Sequence, residues 1–160
     1  VGFTNVLRVS GKKAGVLTLL GDMGKGWVMG WAAMHWLTDE RFIMLVALST
    51  ILGHLFSPFL NFKGGKGVAT ALGAVLGLSP SIGLLLLLIW LGAVAIWRYS
   101  SGGALAAFGC FPVVAIVNEQ RQEFFIFSLI VSGLIWVKHK DNIVRLWNGT
   151  ESKIGQKKQG

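Results

Sequence analysis

The sequence has 160 residues, 53% hydrophobic and only 14% charged, with 15 Lys and Arg against 7 Asp and Glu for a formal net charge of +8. That composition excludes a water-soluble domain and points to a polytopic membrane protein whose solvent is lipid. The single cysteine, Cys110, excludes an internal disulfide; no Cys and His set has zinc spacing, so neither metal nor cofactor is expected. The chain opens at Val1 in a polar stretch, with no initiator Met and no signal-peptide pattern, which reads as an N-terminally incomplete protein.

The first apolar run, 14–37, is interrupted by Gly21, Asp22 and Lys25 and ends at Thr38-Asp39-Glu40-Arg41. The second, 42–62, leads into Lys63-Gly64-Gly65-Lys66-Gly67. The third, 68–78, is too short to span unaided and stops at Ser79-Pro80-Ser81. Runs 82–97, 104–117 and 124–137 follow, and the tail 138–160 is polar and basic. The fold class is therefore all-α, a membrane helix bundle of about six helices in one domain over 1–160. Gly26 and Gly30, like Gly73 and Gly77, lie four apart and can share a helix face that lets backbones approach closely.

If each run crosses once, one face receives Arg8, Lys12, Lys13, Lys63, Lys66, Arg98, Lys138, Lys140, Arg145, Lys153, Lys157 and Lys158. The other keeps Arg41 and Arg121 beside Asp39, Glu40, Glu119 and Glu123, and this skew makes the first face cytoplasmic. The chemically suggestive residues gather there too. The block 62–70 is a glycine-rich turn feeding a helix, so amide N–H groups and Lys66 can converge on one anion. It is not a Walker A loop, because Gly67 follows Lys66, and a flexible basic hinge fits the same spacing.

His139 and Asn142, three apart, share a face if the last helix continues through them, although a histidine just past a span also suits an interfacial anchor. His54 reads as a packed histidine with one hydrogen bond, and Asp22 and Lys25 as a pair satisfying each other's charge inside the bundle. Ser101 is undistinguished alone. With no Gly-x-Ser-x-Gly elbow and no metal-binding His pair, a nucleophilic mechanism has no support.

An ordered string of motifs nevertheless stands out. It runs from Thr4-Asn5-Val6-Leu7-Arg8 with Gly11-Lys12-Lys13, through Asp22 and Lys25-Gly26, to Gly53-His54, Ser57-Pro58-Phe59 and the glycine block through Thr70. Tyr99-Ser100-Ser101 follows, then His139-x-x-Asn142-Ile143-x-Arg145-Leu146 and Gly149-Thr150-Glu151-x-Lys153-Ile154. Over essentially the whole chain this resembles the bacterial acyl-phosphate-dependent glycerol-3-phosphate acyltransferases, the PlsY family. The resemblance implies a multi-pass enzyme of the bacterial inner membrane with its site facing the cytoplasm. Its reaction would move a fatty acyl group from acyl phosphate, not acyl-CoA, to the first hydroxyl of glycerol 3-phosphate, giving lysophosphatidic acid.

Carried onto this sequence, the glycine turn with Lys66 would hold the acyl phosphate headgroup, and Asn5, Arg8, Ser101, His139 and Asn142 would bind glycerol 3-phosphate. Thr4, His54, Lys63, Gly64, Gly65, Gly67, Thr70 and Arg145 would be further substrate contacts. Lys66, Ser101, His139 and Asn142 would form the catalytic set. The partners are then the two substrates and membrane lipid, not nucleic acid, around a monomer. The family carries an N-terminal membrane helix that this chain is expected to lack, and Gly102-Gly103-Ala104 offer no hydroxyl beyond Ser101.

The proton acceptor is either His139 or the substrate's own phosphate, whose second pKa is about 6 by analogy with phosphorylated side chains. The substrate is favoured, since Asp141 is the only carboxylate seen near His139 and points elsewhere on a helix. A transporter or binding protein for a phosphorylated solute is the alternative; it calls for paired midplane features that this sequence does not display.

Overall fold

The structure, a computed structural model, describes residues 3–118 and 121–156, apart from the side chains of residues 3–5, 7 and 8. In chain order the elements are α1 (Phe3–Trp36), α2 (Glu40–Leu55), a 3-10 turn (Pro58–Leu60), α3 (Val68–Leu78), α4 (Pro80–Trp97), α5 (Ser100–Asn118), α6 (Gln122–Lys138) and α7 (Lys140–Trp147). No strand occurs among the described residues.

Local chemistry sets these boundaries. Asp39 caps α2 by accepting a hydrogen bond from the Arg41 amide at 2.9 Å. Ser79, extended at φ −151°, ends α3, and Pro80 opens α4 from the first helical turn, where its missing N–H costs nothing. Three departures from the sequence expectation follow. Helix α1 starts eleven residues before the apolar run, and its early turns are broken at Gly11, whose φ of 84° suits glycine. Helix α2 stops at Leu55, because Ser57-Pro58 turns the chain into a 3-10 turn. The tail read as merely polar and basic contains a seventh helix, α7.

Each of the first six helices packs on two neighbours to form a ring, α1 on α2, α2 on α6, α6 on α5, α5 on α4, α4 on α3 and α3 back on α1, with α2 also touching α3. The α1–α3 seam is where the two glycine pairs meet. A Cβ on Gly26 would sit 2.1 Å from the Thr70 carbonyl oxygen, and one on Gly73 would sit 2.0 Å from that of Met23. Only glycine on both helices permits this approach, as in the small-residue seams of membrane helices. On the far side, Phe108 and Phe111 of α5 meet Phe124 and Phe127 of α6. All four are fully or almost fully buried, and Phe111 makes edge contacts with the other three at 5.9–6.3 Å between centroids.

Three segments, Glu40–Leu60, Pro80–Trp97 and Ser100–Asn118, are long and apolar enough to cross a membrane. The outward faces of these helices carry large exposed apolar side chains such as Leu45, Leu88 and Val113, as lipid requires. At one end of the bundle Arg121 pairs with Glu40 at 3.1 Å. At the other, Arg98 and Ile154 exchange hydrogen bonds and Lys66 reaches Asn142.

Candidate active site

Four chain segments converge at that second end: the glycine turn, the start of α5, the α6–α7 junction and the strand of coil after α7. The turn owes its shape to its residues. Asn61 and Phe62 take left-handed conformations that carry the chain back over the end of α2. Gly64 then rests directly on that end, where a Cβ would lie 1.9 Å from the His54 carbonyl oxygen. Gly67, at φ 80°, caps α3 without a side chain, leaving the first amides of α3 with no side-chain acceptor. Such a helix start favours an anion. Lys66 lies beside it, its ammonium donating to Asn142 Oδ1.

Glu151 organises the other side. Its Oε1 accepts from Ser101 Oγ and from Asn142 Nδ2, each at 2.6 Å, and its Oε2 pairs with Arg145 Nε at 2.6 Å. The chain delivers it there by folding back after α7: Gly149 turns at φ 69°, the Thr150 amide donates to the Arg145 carbonyl, and Ile154 docks on Arg98. Burial alone would raise the Glu151 carboxyl, but hydrogen bonds from Ser101, Arg145 and Asn142 outweigh it and hold the group below the usual glutamate range.

His139 occupies the junction between α6 and α7 and is almost fully buried. Its Nδ1 lies 2.8 Å from the Ile135 carbonyl oxygen, which can only accept, so Nδ1 carries the proton and Nε2 keeps its lone pair. Burial pushes this imidazole down to about 4, with Lys66 adding to the effect and the Ile135 carbonyl and Glu151 opposing it. At neutral pH the ring is therefore uncharged and a weak base.

These groups line one cavity of about 540 Å³. Its polar wall includes Lys66, Ser101, His139, Asn142, Arg145 and Glu151; Leu19, Met23, Leu72, Leu87, Trp90 and Ala104 make the rest apolar. Of the residues marked in the sequence, His54, Gly64, Gly65, Lys66, Gly67, Ser101, His139, Asn142 and Arg145 all line it. Lys63 is exposed and lies outside that lining. Thr70 is fully buried in the α1–α3 seam, its hydroxyl has no hydrogen-bond partner among the described residues, and it lies outside that lining. Thr4, Asn5 and Arg8 fall on the first turns of α1, and their side chains lie outside the described residues.

Sequence reasoning missed Glu151, Asp22 and Lys138 as cavity residues. Asp141 is exposed and, as expected, turned away from His139; the acid that acts electrostatically on His139 is Glu151. The available signal was its place in the Gly149-Thr150-Glu151 motif.

The arrangement suits anion recognition and acyl positioning. The Ser101 hydroxyl donates to Glu151, so it is not activated by a histidine. No group of three His, Cys, Asp or Glu capable of holding a metal occurs among the described residues.

The profile of the glycerol-3-phosphate acyltransferase family matches residues 1–149. The glycerol-3-phosphate acyltransferase of Methylococcus capsulatus strain Bath is 42% identical over 157 residues, covering 98% of this chain and 79% of that protein. That of Aromatoleum aromaticum strain EbN1 is 44% identical over 158 residues, covering 98% and 80%. The crystal structure of PlsY, described as an integral membrane glycerol 3-phosphate acyltransferase in its glycerol 3-phosphate form, superposes with a TM-score of 0.91 at 37% identity, covering 96% of this chain and 78% of that one. Its lysophosphatidic acid form gives a TM-score of 0.89.

Proposed function

This chain belongs to the glycerol-3-phosphate acyltransferase family as an integral membrane enzyme, and we propose that it takes its acyl group from acyl phosphate and passes it to the first hydroxyl of glycerol 3-phosphate. One observation carries the choice of donor: the cavity joins a cationic anion site to an apolar pocket. Acyl phosphate matches both halves, with a phosphate for the glycine turn and Lys66 and a chain for the space between Leu72, Leu87 and Trp90. It also carries its own leaving group, so transfer needs no covalent intermediate on the enzyme.

In this reading the substrate hydroxyl oxygen bonds to the acyl carbonyl carbon while the bond from that carbon to the phosphate oxygen breaks. Phosphate departs with the electron pair, its charge met by Lys66 and the α3 amides. The hydroxyl proton passes to the acceptor's own phosphate, which is more basic than His139. Ser101, Asn142, Arg145 and His139 position glycerol 3-phosphate, and catalysis is chiefly orientation and charge neutralisation.

Purified protein given acyl phosphate and glycerol 3-phosphate should release one phosphate per lysophosphatidic acid formed, and acyl-CoA in a parallel reaction should give no product. Turnover with acyl-CoA alone would overturn the donor.

The charge skew supports a site on the cytoplasmic face of the membrane. A cysteine at position 39 should react with a membrane-impermeant reagent in intact cells, and one at position 63 should stay protected. The reverse pattern would invert the orientation.

A further inference from the structure

One polar cluster, two members of which, Asp22 and His54, line the cavity, has no part in the chemistry proposed above. Asp22 and Lys25 lie one turn apart on α1, and His54 lies in the last turn of α2. The Lys25 ammonium donates to Asp22 Oδ1 at 2.7 Å and to His54 Nδ1 at 2.8 Å. Asp22 Oδ1 and His54 Nδ1 are only 3.3 Å apart, a distance two acceptors tolerate because the ammonium bridges them. Asp22 and His54 are largely buried, with side chains 17% and 12% exposed.

An apolar trio of similar volume would serve the stability of the bundle about as well, since taking charges out of water offsets most of what their pairing returns. What the ionic cluster adds is a fixed geometry between α1 and the end of α2. That end is the surface on which the glycine turn is seated. Gly64 abuts the His54 and Leu55 carbonyls, and Gly67 sits over the Leu55 side chain. On its other flank, the Leu55 carbonyl accepts a hydrogen bond from Lys138 at 2.9 Å, next to His139.

We propose that Asp22 and Lys25 are positioning residues that act through His54 to hold the end of α2 beneath the glycine turn, and so set where the turn presents its amides and Lys66. The consequence for catalysis rests on the reading that this turn binds the acyl donor's phosphate. Loss of the cluster loosens the seat of Gly64 and weakens donor binding, while the glycerol 3-phosphate side, tied by Glu151, keeps its geometry.

The test compares Lys25→Met, Asp22→Asn and Lys25→Arg with the unaltered enzyme by amide hydrogen exchange and by kinetics. Lys25→Met and Asp22→Asn should speed exchange at residues 64–68 about tenfold or more, with α4 to α6 unchanged. They should raise KM for acyl phosphate about tenfold, with kcat and KM for glycerol 3-phosphate within about twofold. Lys25→Arg, which keeps both donors, should restore both readouts. If either single variant fails to fold, the double variant Asp22→Asn/Lys25→Met, which leaves no unpaired ion, is read by the same criteria. Unchanged exchange at 64–68, or a rise spread evenly over the bundle, overturns the proposal. Local loosening in an enzyme that ignores acyl phosphate would leave the positioning role standing and remove the donor assignment instead.

Discussion

Glu151→Ala is expected to lower kcat/KM for acyl transfer about 10²- to 10³-fold. The carboxylate is the common acceptor for Ser101, Asn142 and Arg145, all within 2.6 Å, and through Asn142 it also meets the residue that Lys66 reaches. Hydrogen bonds to a charged group contribute roughly 1.5–3 kcal/mol each, and removing one acceptor leaves three donors misplaced. If about 3–4 kcal/mol of that is felt in the transition state, the rate falls by the stated factor. Glu151→Gln should cost only about tenfold: its carbonyl oxygen can still accept from Ser101 and Asn142, and only the Arg145 pair is lost. Initial rates and thermal unfolding on the same preparations check both variants. A rate near that of the unaltered enzyme in Glu151→Ala would mean that Ser101, Asn142 and Arg145 keep their places without the acid.

The importance of Glu151 could not be derived from local sequence, because its partners are fixed by the fold. Ser101 lies 50 positions away and Arg145 only 6, on the far side of a reversed turn. The same reason hid the full cluster around Lys25: the i,i+3 pair with Asp22 is visible in the sequence, whereas His54, 29 residues on, joins it only when α1 packs on α2.

Where the signal is local, it was legible. Helix α3 spans the apolar run between Gly67 and Ser79-Pro80 because those residues dictate its two ends. The paired glycines were legible as close-packing faces, although not as partners of each other. Helix α7 was not, since eight residues rich in charge form a weak helix on their own. It persists because one face buries Asn142 in the site while Val144 and Trp147 stay outward. Thr70 misled for the opposite reason. It closes the glycine block in sequence, but as the third residue of α3 it is fully buried, with its backbone carbonyl against Gly26 of α1.

Glycerol offered without its phosphate should be acylated about 10²- to 10⁴-fold more slowly than glycerol 3-phosphate, even at concentrations that fill the site, because it lacks the group that takes its proton. His139 cannot substitute efficiently: burial holds it at about 4, well below the roughly 6 expected of the substrate's phosphate. The acid limb of kcat/KM should accordingly follow the acceptor's phosphate, and a more basic phosphonate analogue should move it to higher pH. His139→Asn should mainly raise KM for glycerol 3-phosphate and leave turnover at saturation largely intact. The same variant should alter stability in a defined window. Between pH 6.5 and about 4 the unfolded chain binds a proton on His139 that the folded chain does not. Stability therefore falls as pH drops through that window, and His139→Asn should remove this dependence while Glu151, still ionised, keeps its contribution until lower pH. Thermal unfolding between pH 7 and 5 reads that difference. Rapid acylation of saturating glycerol, or a collapse of kcat in His139→Asn with KM unchanged, would transfer the proton to His139 instead.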